Sequence, residues 1–110
     1  MAGFGNFSNM MKQAQKQAVK MQKQLEEVQK NLKERVVEGS AGGGMVVVAM
    51  NCQKEPLAVK IDPEVVNKED VEMLQDLILA AMSQAMKKAQ EIYDQEMGKV
   101  TGGLNIPGLF

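Results

Sequence analysis

The sequence predicts an α+β fold in which two long helices flank a three-stranded antiparallel meander, in the order α-β-β-β-α. Apolar residues recur at helical spacing in the first third of the chain and again in the last third. Between these segments, three short stretches rich in apolar residues are separated by turn-forming residues. The chain has 110 residues, which suits one domain, so we expect a single domain over residues 1–110.

The first helix is predicted by an unbroken apolar seam with alternating steps of three and four residues. This heptad spacing is typical of a helix that packs against another helix, as in a coiled coil. We expect the helix to begin after a cap at Ser8 or Asn9 and to end near Glu34, and we expect residues 1–9 to be a flexible, loop-like end. The seam consists of Met11, Ala14, Ala18, Met21, Leu25, Val28 and Leu32.

Three strands are predicted between the helices. The first begins at Val36, and we expect Gly39 and residues 42–44 to break it by supplying positive φ for a turn. Residues 45–50 are a continuous apolar run, which is typical of a strand covered on both faces. Residues 57–61 alternate between apolar and other side chains, which predicts a strand with one covered face.

The second helix is expected to begin at an Asn67 cap, with Asp70 three residues later as in a capping box. It should continue to about Met97, where Gly98 is a natural residue to follow a helix end. Residues 99–110 have the composition of a flexible apolar tail.

The middle of the second helix predicts self-association. Residues 77–82 read LILAAM, which is apolar around the whole helix, and such a helix must be buried on all sides. A three-stranded sheet covers one side only, so we expect a homodimer; a monomer with the first helix folded back on the second is the alternative. The residues expected at the dimer interface are Val46, Val48, Leu77, Ile78, Ala81 and Met82.

The composition argues against catalysis, metal binding and cofactors. The chain has no His, which is the commonest general base and metal ligand. Its one cysteine, Cys52, can form neither an intrachain disulfide nor a zinc site. The glycines at 42–44 are not followed by the Lys of a phosphate-binding loop. We find no signal peptide and no apolar run long enough to span a membrane, and therefore expect a soluble cytoplasmic protein.

Charge is unevenly distributed along the chain. Residues 1–38 carry a net charge of +3 and residues 39–110 a net charge of −4, for a total of −1. Lys12, Lys16, Lys20 and Lys23 share one side of the predicted first helix, opposite the apolar seam, and no acidic residue precedes Glu26. Lysines at this spacing can neutralise phosphates, although a solvated helix face produces the same pattern. The whole chain has one Arg, and no aromatic residue lies in the predicted first helix. Sequence-specific base contacts are therefore not expected.

Several short strings, in order along nearly the whole chain, resemble the YbaB/EbfC family of small bacterial nucleoid-associated proteins. The strings are MMKQA at 10–14, GSAGGG at 39–44, VKIDP at 59–63, DVEMLQDLI at 70–78, TGGL at 101–104 and PGLF at 107–110. One difference is the turn after Asn51, which reads CQKEP where the family tends to have a glycine.

The resemblance implies an intertwined homodimer of α-β-β-β-α protomers whose projecting helices form a tweezer-like shape. It also implies binding to duplex DNA, a place on the bacterial nucleoid and an influence on gene expression. By the same resemblance, the DNA contacts are Lys12, Lys16, Lys20 and Lys23, with Lys30, Lys33 and Arg35 as second-rank candidates because Glu26, Glu27 and Glu34 lie among them. The alternative function is an adaptor for recombination or replication proteins that has no meaningful DNA affinity.

Overall fold

The predicted element order is confirmed. The computed structural model describes residues 2–102, with side chains described over residues 6–100. A short 3-10 turn at Pro63–Val65 precedes the last helix. The sheet has the strand order β1-β2-β3, and both pairings are antiparallel. The elements are α1 (Ala2–Glu34), β1 (Val36–Ala41), β2 (Val46–Asn51), β3 (Pro56–Ile61) and α2 (Val71–Gly102).

Helix α1 begins earlier than predicted. It starts at Ala2, so residues 2–9 are helical and the expected cap at Ser8 or Asn9 is wrong. Phe7 lies four residues before Met11 and therefore continues the heptad seam. Glycines in residues 2–9 lower local helix propensity and obscured this continuation.

Both ends of α2 also differ from the prediction. Asp70, and not Asn67, caps the helix, because the Asp70 carboxylate accepts a hydrogen bond from the Met73 amide at 3.2 Å. The Asn67 side chain instead accepts from the Glu69 amide at 3.0 Å, within the preceding turn. The helix continues through Gly98 to Gly102. Residues 103–110 of the predicted tail lie outside the described residues.

The core forms where α2 packs closely on β1 and β2. Ala81, Ala85 and Ala89 line one side of α2 and are completely buried. Gly39 lies within β1 and does not break it as predicted; a Cβ atom there would come within 2.9 Å of the Ala85 Cβ and would collide with the backbone of Ala81 and Ala85. The predicted positive φ is confirmed at residues 42–44, in the β1–β2 turn.

The β2–β3 turn is held by Asn51, which explains how it forms without glycine. The buried Asn51 carboxamide oxygen accepts hydrogen bonds from the amides of Gln53 and Glu55, both at 3.0 Å. Lys54 takes the positive φ, 65°, that a glycine would adopt more easily. The Cys52 amide donates to the Leu32 carbonyl at 2.9 Å, which ties the end of α1 to this turn.

Helix α2 leaves part of the sheet uncovered. It packs on β1 and β2, whereas all six residues of β3 are exposed. On β2, the residues facing α2 are buried but Val47 and Ala49, on the other face, are only half-buried. The expectations that β2 is covered on both faces and β3 on one face are therefore wrong within the protomer.

Most of α1 extends away from the rest of the molecule. Residues 6–20 are all exposed, and Val28 and Leu32 at the other end of the helix pack on the core. The radius of gyration is 22.3 Å and the longest dimension is 84 Å, whereas a compact domain of this length has a radius of about 13 Å. We call residues 6–25 of α1 the arm.

We expect Gly39→Ala to lower the free energy of unfolding by about 3 kcal/mol, because the new methyl group meets helix backbone that cannot move aside. Urea denaturation measures the change. Gly98→Ala is the control, because a Cβ there meets nothing within 4 Å and Ala favours a helix by about 1 kcal/mol. Wild-type stability in Gly39→Ala would contradict the close approach.

A pH effect follows from Cys52. Burial raises the pKa of its thiol in the folded protein, and this effect outweighs the opposing one of the Arg35 charge. Above about pH 8.5, where an unfolded cysteine ionises, the unfolded chain releases the proton first, so the free energy of unfolding should fall as the pH rises. Cys52→Ala should reduce this fall, as measured by urea denaturation between pH 7 and 10; an unchanged slope would contradict the assignment.

Candidate nucleic-acid interface

The first feature of the arm is a stripe of four lysines, Lys12, Lys16, Lys20 and Lys23, which we call the lysine stripe. All four side chains are exposed, and the helix is continuous through them. At about 100° per residue, they fall within a sector of about 80°. The ion pairs found in the described part of the chain involve none of them. The stripe is therefore a row of unneutralised positive charges on one side of the arm.

The apolar seam lies on the opposite side of the arm. In heptad terms the seam residues occupy positions a and d, and the lysine stripe occupies positions b, c and f. Phe7 and Met11 in the seam are 63% and 50% exposed. The arm can therefore present its lysines to one partner while the seam contacts another.

The second-rank basic residues differ from the stripe in their surroundings. Lys30 and Lys33 are exposed, but acidic residues share their side of the helix. Arg35 lies 3.8 Å from Glu96, its partner on α2, so its charge is partly balanced. These three residues form a less positive surface than the lysine stripe.

The six residues predicted at the dimer interface do not share one surface. Val46, Val48 and Ala81 are completely buried in the protomer's own core. Leu77 and Ile78 are half-buried and pack against that core. Met82 is 37% exposed and keeps accessible apolar surface.

An apolar surface that the sequence analysis did not single out lies beside β3. By register, Val59 pairs with Val48 and Ile61 with Val46, so these β3 side chains lie on the sheet face that α2 covers elsewhere. Yet Leu57, Val59 and Ile61 remain 55%, 50% and 37% exposed. The alternation of these apolar residues along β3 was the feature of the sequence that could have predicted this surface.

The side of α2 that faces β3 continues this surface. On its other side, Gln84 accepts a hydrogen bond from the Ser40 amide at 2.7 Å, and Lys88 donates one to the Glu38 carbonyl at 2.8 Å. These contacts occupy the free edge of β1, so the opposite side of α2 faces β3. That side carries exposed Leu79, Met82 and Met86. We call the combined surface the β3-side patch: Leu57, Val59, Ile61, Leu79, Met82 and Met86.

A cleft lies where the end of α1, the β2–β3 turn and α2 meet. The Cys52 thiol there is buried, and burial raises its pKa, which disfavours the reactive thiolate. Within residues 2–102 we find no group of three or more His, Cys, Asp or Glu arranged to hold a metal ion. Neither helix, over its described length, combines the length and apolarity needed to cross a membrane. The cleft is lined by Gln29, Cys52, Gln53, Lys54, Gln90 and Tyr93.

Comparisons with known proteins agree with the fold and with the strings noted in the sequence. A nucleoid-associated protein from Alkaliphilus metalliredigens is 56% identical over 110 residues, covering 100% of this chain and 93% of the relative. A nucleoid-associated protein from Clostridium novyi is 54% identical, with the same coverage. The crystal structure of an uncharacterised protein from Helicobacter pylori superposes with a TM-score of 0.75 at 24% identity, covering 83% of this chain and 96% of that one.

The family model of the YbaB/EbfC DNA-binding family matches residues 4–104, which include the whole sheet, all of α2 and all but the first two residues of α1. With this match and relatives more than 50% identical over nearly their full length, the chain belongs to the YbaB/EbfC DNA-binding family.

Proposed function

We propose that this protein is a homodimeric, nucleoid-associated DNA-binding protein that contacts duplex DNA mainly through phosphates, using the lysine stripe of each arm. It would organise the bacterial nucleoid and thereby influence gene expression. The observation that carries the proposal is four exposed lysines on one side of a projecting helix, unpaired among the described residues. The family and the names of the relatives support DNA as the ligand.

The dimensions of the stripe suit a nucleic-acid backbone. Lys12 and Lys23 are eleven residues apart, or about 16 Å along the helix, whereas each DNA strand carries one phosphate per about 3.4 Å of axis. One stripe can therefore lie beside several phosphates at once. Lysine ammonium groups and neighbouring Gln side chains can contact phosphates, and α1 contains no Arg for bidentate contacts to guanine, so we expect little sequence preference.

The dimer would form through the β3-side patch. A contiguous group of exposed apolar side chains indicates an interaction surface, and the self-complementary surface of a two-fold dimer is the commonest solution. The edge of β1 is occupied by Gln84 and Lys88, whereas β3 is the uncovered end of the sheet. The opposite face of the sheet is more polar, since it carries Glu38, Ser40 and Lys60.

The DNA test compares two variants that lose the same charge. Lys→Gln at 12, 16, 20 and 23 should weaken duplex binding at least about 100-fold. It should also make the plot of log binding constant against log salt concentration less steep, by about 0.9 in slope for each lost phosphate contact. Fluorescence anisotropy of labelled duplex at several salt concentrations measures both quantities. Lys→Gln at 54, 60, 68 and 87, all exposed on the body, should change little.

If both variants bind duplex equally weakly, the lysine stripe is not the DNA-binding surface. DNA binding would then reflect only a general electrostatic attraction between the protein and the duplex. If the wild-type protein fails to bind duplex even at low salt, the DNA-binding proposal is wrong. The adaptor hypothesis would then become the leading one.

The dimer test uses the two faces of β3. Val59→Glu places a charge in the β3-side patch and should raise the dimer dissociation constant at least about 100-fold, because an unpaired buried charge costs several kcal/mol. Ala58→Glu adds the same charge on the opposite face of the strand and should leave the dimer intact. Light scattering coupled to gel filtration gives the mass; a Val59→Glu protein that remains dimeric would rule out this patch as the interface.

A further inference from the structure

We propose that the arm is itself an association surface, and that its partner is the arm of a second copy of this chain, paired seam to seam in antiparallel orientation. The seam of the arm consists of Phe7, Met11, Ala14, Ala18, Met21 and Leu25. Phe7, Met11, Ala14 and Ala18 are exposed, and none of the residues that the structure describes covers them. In proteins, most of the stability of a helix comes from packing of its apolar face rather than from helix propensity, so a covering partner is expected.

The distribution of charge identifies that partner as another arm. Positions e and g, which flank the seam of a coiled coil and face the partner helix, decide which helices can pair. Every charged residue of α1 lies at position b, c or f, and none lies at e or g. Two copies of a strongly positive helix can therefore pair along their seams without facing like charges. The e and g residues are Ser8, Met10, Gln15, Gln17, Gln22, Gln24, Gln29 and Asn31.

The sizes of the seam residues fit an antiparallel pair in one register. When Ala14 faces Ala18 of the partner, Met11 faces Met21 and Phe7 faces Leu25, so one register aligns the entire arm. The small central residues let the helices approach closely, and the larger residues fill the layers towards each end. Antiparallel helices also oppose their dipoles, and both lysine stripes face outwards from the pair.

Antiparallel pairing cannot occur within the dimer formed by the β3-side patch. The paired segment, residues 7–25, is about 27 Å long, and it holds the two bodies at its opposite ends. The seam therefore joins one dimer to another. One consequence rests on the proposed function: the joined dimers hold two duplexes, one against each of the two outward-facing lysine stripes.

Disulfide trapping tests the pairing and its register. In a Cys52→Ala background, Met11→Cys and Met21→Cys proteins are mixed and oxidised, and we expect the mixed disulfide to exceed either homodisulfide at least fivefold. Gln13→Cys with Val19→Cys, on the outer side of the same turns, is the control and should not form disulfides above background. Predominant homodisulfides would overturn the antiparallel register, and yields at the control level would overturn the pairing.

A second measurement keeps this inference separate from DNA binding. Ala14→Gln/Ala18→Gln alters the centre of the seam without changing charge, whereas Asn9→Gln/Val19→Gln makes two similar changes at positions f and b. By analytical ultracentrifugation we expect wild type and control to associate beyond the dimer, and the seam variant to do so at least tenfold more weakly. Equal association of the two variants would overturn the inference.

Duplex affinity at a single site, measured by anisotropy, should be the same in both variants. If pairing fails while the protein still binds duplex, only the seam inference is wrong. If pairing is found but no duplex binds, the inference about the arms stands and the proposed function is wrong.

Discussion

The close approach of α2 to β1 at Gly39 is the contact on which the rest of the structure depends. A strand residue without a side chain faces helix residues that carry only a methyl group, Ala81 and Ala85. The helix backbone therefore lies almost on the sheet. At this distance the side chains of β2 that point towards the helix, Val46 and Val48, are completely buried. The core is built from small residues in tight contact.

This contact also determines which surfaces remain uncovered. Because α2 is drawn towards β1, its polar side reaches the free edge of that strand through Gln84 and Lys88. An occupied edge cannot pair with another chain. As a result, neither described helix lies above β3, and Val59 and Ile61 stay exposed on the same sheet face. The β3-side patch is thus a consequence of the packing that stabilises the protomer.

Local periodicity predicted the elements but not their exact ends or their neighbours. The heptad seam, the apolar run at 45–50 and the alternation at 57–61 each depend on nearby residues, so the element order and the lysine stripe followed from them. The residue that caps α2 depends on where the chain turns after Pro63. The sequence pattern predicted Asn67, whereas Asp70, three residues later, is the cap in the structure.

Other features could not be predicted because they depend on tertiary contacts. Gly39 has the same sequence signature as a turn glycine, and its role becomes clear only beside Ala85. Similarly, a helix that is apolar all around does not indicate which side its own sheet will cover. That is why Ala81 was predicted at the dimer interface but lies in the core, while Leu79 and Met86, which are exposed, were not predicted.

The projection of the arm resolves the conflict between an acidic chain and a polyanionic ligand. Lys12 lies 22 residues before the end of α1 at Glu34, or about 33 Å along the helix. The Debye length at physiological ionic strength is about 8 Å, so the acidic residues of the body act weakly at the tip of the arm. A compact protein of the same composition would present a slightly negative surface to DNA, whereas here the positive charges stand apart from the negative ones. A long helix with little tertiary contact, which is costly for stability, therefore keeps the lysine stripe apart from the acidic residues of the body.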